Sequence, residues 1–417
     1  MTMARRRDPV TVLGSPDDQG DARRLGRTPS GRMFRRTRHG HPGLVTRHAR
    51  LVTVTPGPPR VPFVEMRSKD LDPAYAVAAR HVASGALPFA IVSVANRDGV
   101  VREDATGERN GDRIGTNAVC LLASITKPIV ATAVLCLAQQ GRFPLTAPIS
   151  RWLPELDAAG IRPFTAWHVL THTSGLPDID LVTLLASGGG RDELRRLTIA
   201  AGQSTPPGDA FRYATFTFDL LTDAIARALD TPFETLLRET VLEPLGMTDT
   251  GFDLPPAGPR RAPVVYGDLP GSLPRLPGVS DEHAVAAFSS VRLSGGGLWS
   301  TVRDVSRFGR AFLRGGELDG VRILGRPLVD LMTREVTLNG LGATGDRLTD
   351  EHYAIGWGKP GPTSAGSASA FGHGGVTGTR LWVDPAYDLV FVFLSGTWAG
   401  ADPLMDDVQL AVYGALE

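Results

Sequence analysis

The feature that most constrains the fold of this 417-residue chain is a pair of hairpin patterns, one early and one late, with helical sequence between them. Phe89–Ala95 and Val100–Thr106 read as strands joined at Asp98-Gly99, a dipeptide suited to a tight turn. Thr377–Val383 and Leu389–Leu394 alternate around Asp384-Pro385 and form the second hairpin. Hairpins at both ends predict one antiparallel sheet completed by both ends of the domain, with the helical middle as an insertion. The expected class is α+β: a mainly antiparallel sheet flanked by helices, with a helical subdomain over about 145–290.

Local signals place the helices. Asp72 is a good N-cap with Pro73 at the first helical position, and Gly85 ends that helix. A second helix runs from near Ser124 to Gln140 and is closed by Gly141. Thr301 and Asp304 have the spacing of a capping box. The helix they open buries Val305, Phe308 and Phe312 and stops at Gly315-Gly316. Residues 255–278 hold seven prolines and are expected to be largely irregular. A last helix covers roughly Asp402 to Leu416.

Net charge is zero overall but uneven. Residues 1–70 carry fourteen Arg and one Lys against six acids, while the remainder carries 29 basic and 38 acidic residues. Residues 1–68 show no sustained period and read as a disordered basic tail, leaving 69–417 as the folded domain. No aromatic interleaving or amphipathic face accompanies the tail's charge, so neither nucleic acid nor anionic lipid is expected as a partner. Met66 stands where order begins, so the tail could also reflect an upstream start. Two cysteines, Cys120 and Cys136, lie in apolar stretches and supply no disulfide framework. No apolar run is long enough to span a bilayer. Arg5, Arg6 and Arg7 hint at a twin-arginine signal, but Asp8 and a short V-T-V-L stretch follow, too little for a signal peptide. A cytoplasmic location is therefore expected.

Lysine is rare: Lys69, Lys127 and Lys359 stand against 41 Arg. A Lys kept within an apolar stretch suggests a task Arg cannot perform, such as losing its proton. Lys127 lies three residues after Ser124, so on a helix the hydroxyl and amine share a face. Pro128 requires the regular helix to begin within about one turn, which leaves Ser124 at its mouth. There the helix dipole and free N–H groups favour a developing oxyanion. Leu121, Leu122, Ala123, Ile125 and Val130 desolvate the pair, lowering the lysine pKa and fitting it to act as a base. An ordinary helix start with Ser as cap is the alternative, because S-x-x-K is short.

The wider context resolves more. L-L-A-S-I-T-K-P (121–128), H-V-L-T-H-T-S-G-L-P (168–177), P-P-G-D-A-F-R-Y-A-T (206–215), E-P-L-G-M-T-D-T (243–250), G-G-G-L-W-S-T-V-R-D (295–304) and F-G-H-G-G-V-T-G-T-R-L-W-V-D-P (371–385) occur in order. Over about residues 72–400 the chain resembles the class C β-lactamase-related serine hydrolases, which include β-lactamases, D-alanyl-D-alanine carboxypeptidases, D-aminopeptidases and esterases. The resemblance implies a serine β-lactamase/transpeptidase-like fold and acylation of Ser124, assisted by Lys127. It places the family tyrosine at Tyr213, whose phenol relays a proton between nucleophile and leaving group. Thr215 stands where the family usually has Asn, and it lacks the amide that holds a β-lactam's acylamino group. His373-Gly374-Gly375 matches the K-T-G stretch, with His373 able to donate to Tyr213 or to substrate, and the glycines allowing close approach of substrate. The oxyanion hole is expected at the backbone N–H groups of Ser124 and Val376.

The expected function is hydrolysis of small esters or amides through an acyl-enzyme, with no cofactor. A β-lactamase or D-alanyl-D-alanine peptidase is the rival within the class. Acyl transfer to another acceptor and a non-catalytic binding protein of the same fold are further alternatives. His168 and His172 are four apart, but Val169 stands where a zinc protease needs Glu, so no metal is expected. Gly295, Gly296 and Gly297 lack the G-K-[S/T] of a phosphate loop, and the chain has no G-x-S-x-G elbow.

Overall fold

Both hairpins exist, and they share one sheet. The computed structural model describes residues 66–109, 111–179, 189–266, 280–336, 352–361, 364–398 and 401–416. The expected tail therefore lies outside the described residues except at its last three positions. There the domain has already begun: Arg67 pairs with Asp70 at 3.0 Å, and Ser68–Leu71 form a 3₁₀ turn. This turn feeds directly into α1, Asp72–Ala83, so the backbone is already helical at Leu71. Leu71, rather than Asp72, is accordingly the N-cap, and Asp72 opens the helix.

The chain then forms β1 (Phe89–Ala95), β2 (Val100–Arg109) and the short β3 (Asp112–Arg113). The turn at Asp98-Gly99 is held by the Asn96 side chain, which accepts from both N–H groups. After α2 (Thr126–Gln139), α3 (Thr217–Leu229) and α4 (Val302–Leu313) come β4 (Phe371–Gly375), β5 (Thr379–Asp384) and β6 (Leu389–Leu394). The order across the sheet is β3-β2-β1-β6-β5-β4, every pairing antiparallel. The first and last hairpins thus meet at β1 and β6, with Val92 opposite Phe393. The second hairpin is shorter than its sequence pattern, because residues 376–378 form the turn from β4, with Gly378 at φ +65°.

β6 is buried at all six positions, so it does not separate into wet and dry faces. Val390, Val392 and Leu394 join Ile91 and α4 residues Val305, Phe308 and Ala311 in one core. Leu389, Phe391 and Phe393 face the other way, against α1 and the final helix α5, Asp402–Tyr413. Each such buried side chain contributes about 1.5–3 kcal/mol. Gly309 lets α4 sit close to the sheet, since a Cβ there would lie 2.6 Å from Val390 Cγ1. The capping box opening α4 is half formed: Thr301 accepts from the Asp304 N–H, while Asp304 turns away to accept from Asp249 and Thr250.

α2 is apolar all round and buried from Thr126 to Leu137, as a central helix must be. The short helical segments Phe233–Leu237 and Arg238–Leu242 pack against it, and Leu170, Phe218 and Leu221 belong to the same core as Ile91 and Val390. The helical layer therefore shares its core with the sheet. In the proline-rich stretch, Val265–Tyr266 pair in parallel with Thr397–Trp398, while 267–279 lie outside the described residues.

Candidate active site

The chain enters α2 through a strained turn. Cys120–Leu121 pair with Trp299–Ser300, and the Leu122 N–H donates to the Leu298 carbonyl. Ala123 then adopts φ +47°, a left-handed conformation uncommon outside glycine. Ala123–Ile125 form one 3₁₀ turn before the α-helix begins at Thr126. Pro128 falls within the first turn of α2, where N–H groups have no intrahelical partner, so its missing donor removes no bond. Ser124 is thereby left half-buried at the mouth of a fully buried helix.

Lys127 Nζ lies 3.0 Å from Ser124 Oγ, 2.7 Å from the Gly295 carbonyl and 3.4 Å from Thr215 Oγ1. The side chain is fully buried. Desolvation, only partly opposed by Asp178 and Asp219, pushes the amine down from 10.5 to about 7. A neutral amine has two N–H donors and one lone pair. Three neighbours fit that set: the Gly295 carbonyl and Thr215 hydroxyl accept, and the Ser124 hydroxyl donates to the lone pair. On the other side, the Tyr213 hydroxyl donates to Ser124 Oγ at 2.9 Å. The nucleophile, its base and the phenol expected from the sequence thus meet at one oxygen.

Gly295 had no assigned role beyond its motif. A Cβ there would lie 2.3 Å from the Thr215 carbonyl oxygen, so only glycine lets this loop come close enough for its carbonyl to reach Lys127. Asp219 holds the neighbouring residue by accepting the Ser294 N–H at 2.9 Å, and Arg191 pairs with Asp219 at 3.2 Å. The Thr215 hydroxyl is engaged within the protein, accepting from Lys127 and bonding Asp178, which also accepts the Thr215 N–H. Asp178, which also accepts from Phe216, was missed because it lies just beyond the H-T-S-G-L-P stretch.

The far wall is the turn after β4. Thr377 and Thr379 donate through their hydroxyls to the Leu121 and Leu122 carbonyls, at 2.7 and 2.8 Å. A Cβ on Gly375 would lie 2.3 Å from the Leu122 carbonyl, so this strand end rides directly on the turn that carries Ser124. Val376, in the turn itself, is 42% exposed. Gly374 is exposed beside it, two residues beyond the point where Gly372 of β4 pairs with Gly358.

His373 has other partners than expected. Its Nδ1 lies 2.6 Å from the Gly374 carbonyl, and its Nε2 lies 3.1 Å from the Tyr353 hydroxyl. A carbonyl only accepts, so Nδ1 carries the proton and Nε2 accepts from Tyr353. Desolvation first, and Lys127 second, push the imidazole well below its ordinary range, so the ring is neutral at pH 7. Its ring centroid is 6.2 Å from that of Tyr213. Tyr353 was missed: it sits in a stretch with no motif of its own, yet it joins the aromatic cluster of Phe211, Tyr213, His172 and His373.

A cavity of about 780 Å³ opens from Tyr213 and His373 past Tyr353, Lys359, Trp382 and Arg380. Arg380 is held by Asp406 at 2.5 Å and Gln409 at 3.0 Å, with Asp402 at 3.6 Å. Among the described residues, no cluster of His, Cys, Asp and Glu could hold a metal ion. His168 instead bonds Thr165, and His172 accepts from Ala214. Both cysteines are free and buried. Among the described residues, no helix is long and apolar enough to cross a membrane.

Fold and site together define a β-lactamase-type arrangement, in which an antiparallel sheet and a helical layer frame a serine at a helix mouth. The family model described as Beta-lactamase matches residues 76–414, and the chain belongs to that family. It is similar to Protein Rv1367c of Mycobacterium tuberculosis, with 33% identity over 78% of this chain and 86% of that one. It is also similar to Esterase EstB of Burkholderia gladioli, with 32% identity over 70% of this chain and 81% of that one. Among solved structures, "EstCE1, a hydrolase with promiscuous acyltransferase activity" aligns with a TM-score of 0.71 and 20% identity, covering 83% of this chain and 99% of that one. Family and relatives support serine hydrolase activity in general.

Proposed function

We propose that the protein hydrolyses small, uncharged esters through an acyl-enzyme on Ser124. The observation that carries this reading is the buried Lys127, depressed to about 7 and within 3.0 Å of a serine oxygen that Tyr213 also reaches. Ser124 Oγ attacks the ester carbonyl carbon as its proton passes to Lys127 Nζ. The N–H groups of Ser124 and Val376 receive the oxyanion, as the close seating of the β4 turn on the nucleophile turn allows. Collapse breaks the bond to the alcohol, and the proton taken from Ser124 ends on the leaving alkoxide, carried through Tyr213. Water then cleaves the acyl-serine by the same groups in reverse.

The preference for esters over β-lactams rests on charge. The neutral His373 occupies the place of the family's cationic Lys, and it already bonds Tyr353 and its own strand. Arg380, which lines the same cavity, is paired with Asp406 and Asp402. Thr215 is occupied by Lys127 and offers no amide. Losing one charge-assisted and one neutral hydrogen bond costs about 2–4 kcal/mol in recognition of a β-lactam, or about one and a half to three decades in rate constant. The esterase named among the relatives agrees with this choice. The test compares kcat/KM for p-nitrophenyl butyrate and a chromogenic cephalosporin, with Ser124→Ala as the blank. The ester should win by that margin; a cephalosporin constant equal to or above it would replace this reading with a β-lactamase.

A further inference from the structure

His172 was considered above only as half of a metal pair. The structure packs its ring among Phe211, Phe218 and Tyr353, and its hydrogen bonds and closest ring contact fall at Tyr213. Its carbonyl accepts the Arg212 N–H at 2.7 Å, and its Nδ1 accepts the Ala214 N–H at 3.1 Å. Its ring lies against the Tyr213 ring with centroids 4.4 Å apart and planes tilted by 32°. The residues before and after Tyr213, and the phenol ring itself, are therefore all held by one side chain and its own carbonyl.

The arrangement departs from ordinary packing. His172 is fully buried and adopts φ +55°, in the left-handed region. With Nδ1 accepting, the neutral ring carries its proton on Nε2, which has no polar partner among the described residues. A strained backbone and an unpartnered buried N–H persist only where surrounding structure imposes them, and such features gather at functional sites. Burial, with Lys127 and His373 nearby, holds the ring neutral. Neutrality is what the clamp needs, because a protonated Nδ1 could not accept from Ala214.

We propose that His172 is the positioning residue for Tyr213, clamping the chain on both sides of it and backing its ring so that the phenol stays within reach of Ser124. This rests on the proposed role of Tyr213 in proton transfer and deepens it. It predicts that changes at His172 act through Tyr213 alone. General acid–base help is worth roughly a hundred- to ten-thousand-fold, so Tyr213→Phe should lose at least about a hundredfold in kcat on p-nitrophenyl butyrate. A misplaced group can cost about a hundredfold, so His172→Phe, which keeps a ring but loses the acceptor, should lose about ten- to a hundredfold in kcat with KM nearly unchanged. In the Tyr213→Phe background the same change should cost less than about threefold, since coupled residues are not additive. His172→Asn keeps an acceptor and tolerates the left-handed backbone, so it should recover most of the activity lost by Phe.

All variants are made in the full chain, and their melting temperatures are measured beside kcat and KM. If the Phe variant fails to fold, the cycle is run with Asn, whose smaller loss must likewise vanish when Tyr213 is Phe. Equal losses from His172 changes in both backgrounds would overturn the positioning role while leaving that of Tyr213 intact. Near-native turnover by Tyr213→Phe alone would overturn the proton-transfer reading, and this one with it.

Discussion

Lys127→Met should make the protein more stable and nearly inactive. Methionine fills a similar volume without a charge, so the change isolates the amine. The amine titrates at 10.5 when exposed but at about 7 in place, chiefly through burial. At about 1.4 kcal/mol per pH unit, that gap is a penalty of about 5 kcal/mol on the folded state whenever the lysine is charged. The unfolded chain keeps the proton up to about 10.5, whereas the folded chain gives it up above about 7. Between those values unfolding takes up a proton, so wild-type stability rises with pH, and below pH 7 the penalty is felt in full. Methionine removes the penalty at every pH but leaves the buried Gly295 carbonyl without its donor, which costs about 1–3 kcal/mol. The variant should exceed the wild type by about 2–4 kcal/mol at pH 6, and the gap should narrow by about 3 kcal/mol by pH 9. Urea unfolding at the two pH values reads this directly. In parallel, kcat/KM on p-nitrophenyl butyrate should fall roughly a hundred- to ten-thousand-fold. The wild-type rise in kcat/KM through about pH 7 should be absent from the variant. Near-native turnover, or a stability gap indifferent to pH, would refute the assignment of Lys127 as a buried base.

Two further outcomes follow from single contacts. Gly295→Ala should lower turnover at least about tenfold, because its Cβ would lie 2.3 Å from the Thr215 carbonyl and must push the Gly295 carbonyl off Lys127. Gly296→Ala, whose nearest new neighbours stand at 3.9 Å, is the matched control and should leave turnover close to native; parallel losses would mean that the whole loop, rather than one carbonyl, matters. A chain begun at Met66 should keep both melting temperature and ester hydrolysis rate, since the core on that side of the sheet is closed by α1 from Leu71 onward; a loss of several degrees in a thermal scan would show that residues 1–65 pack on the domain.

The sequence revealed those parts of the site that depend on spacing along one element, and it hid those that depend on chain crossings. Ser124 and Lys127 are three apart on one turn, so their contact follows from helical geometry, and the apolar residues around them already implied a desolvated amine. The two hairpins were legible because turn residues and alternation are local, and their union at β1 and β6 followed from the need to cover their apolar faces. β4 carried no such signal: three glycines in five residues lower strand propensity, and the strand exists because Gly375 must lie against Leu122 and Gly372 against Trp382. Gly295, Tyr353 and the stretch from His172 to Asp178 are three separate segments, and nothing in the spacing of any one segment marks its approach to the others. Gly295 and Asp178 act on the lysine's surroundings, His172 and Tyr353 on the phenol and on His373. Burial is what works against charge on Lys127, His172 and His373, with Asp178 pulling the lysine the other way, while the wall's arginine pairs with Asp406 and Asp402. On the proposed reading, such a site stabilises the charge that develops on a substrate oxygen during reaction more than a charge the substrate already carries, and the comparison of an ester with a carboxylate-bearing β-lactam tests that difference.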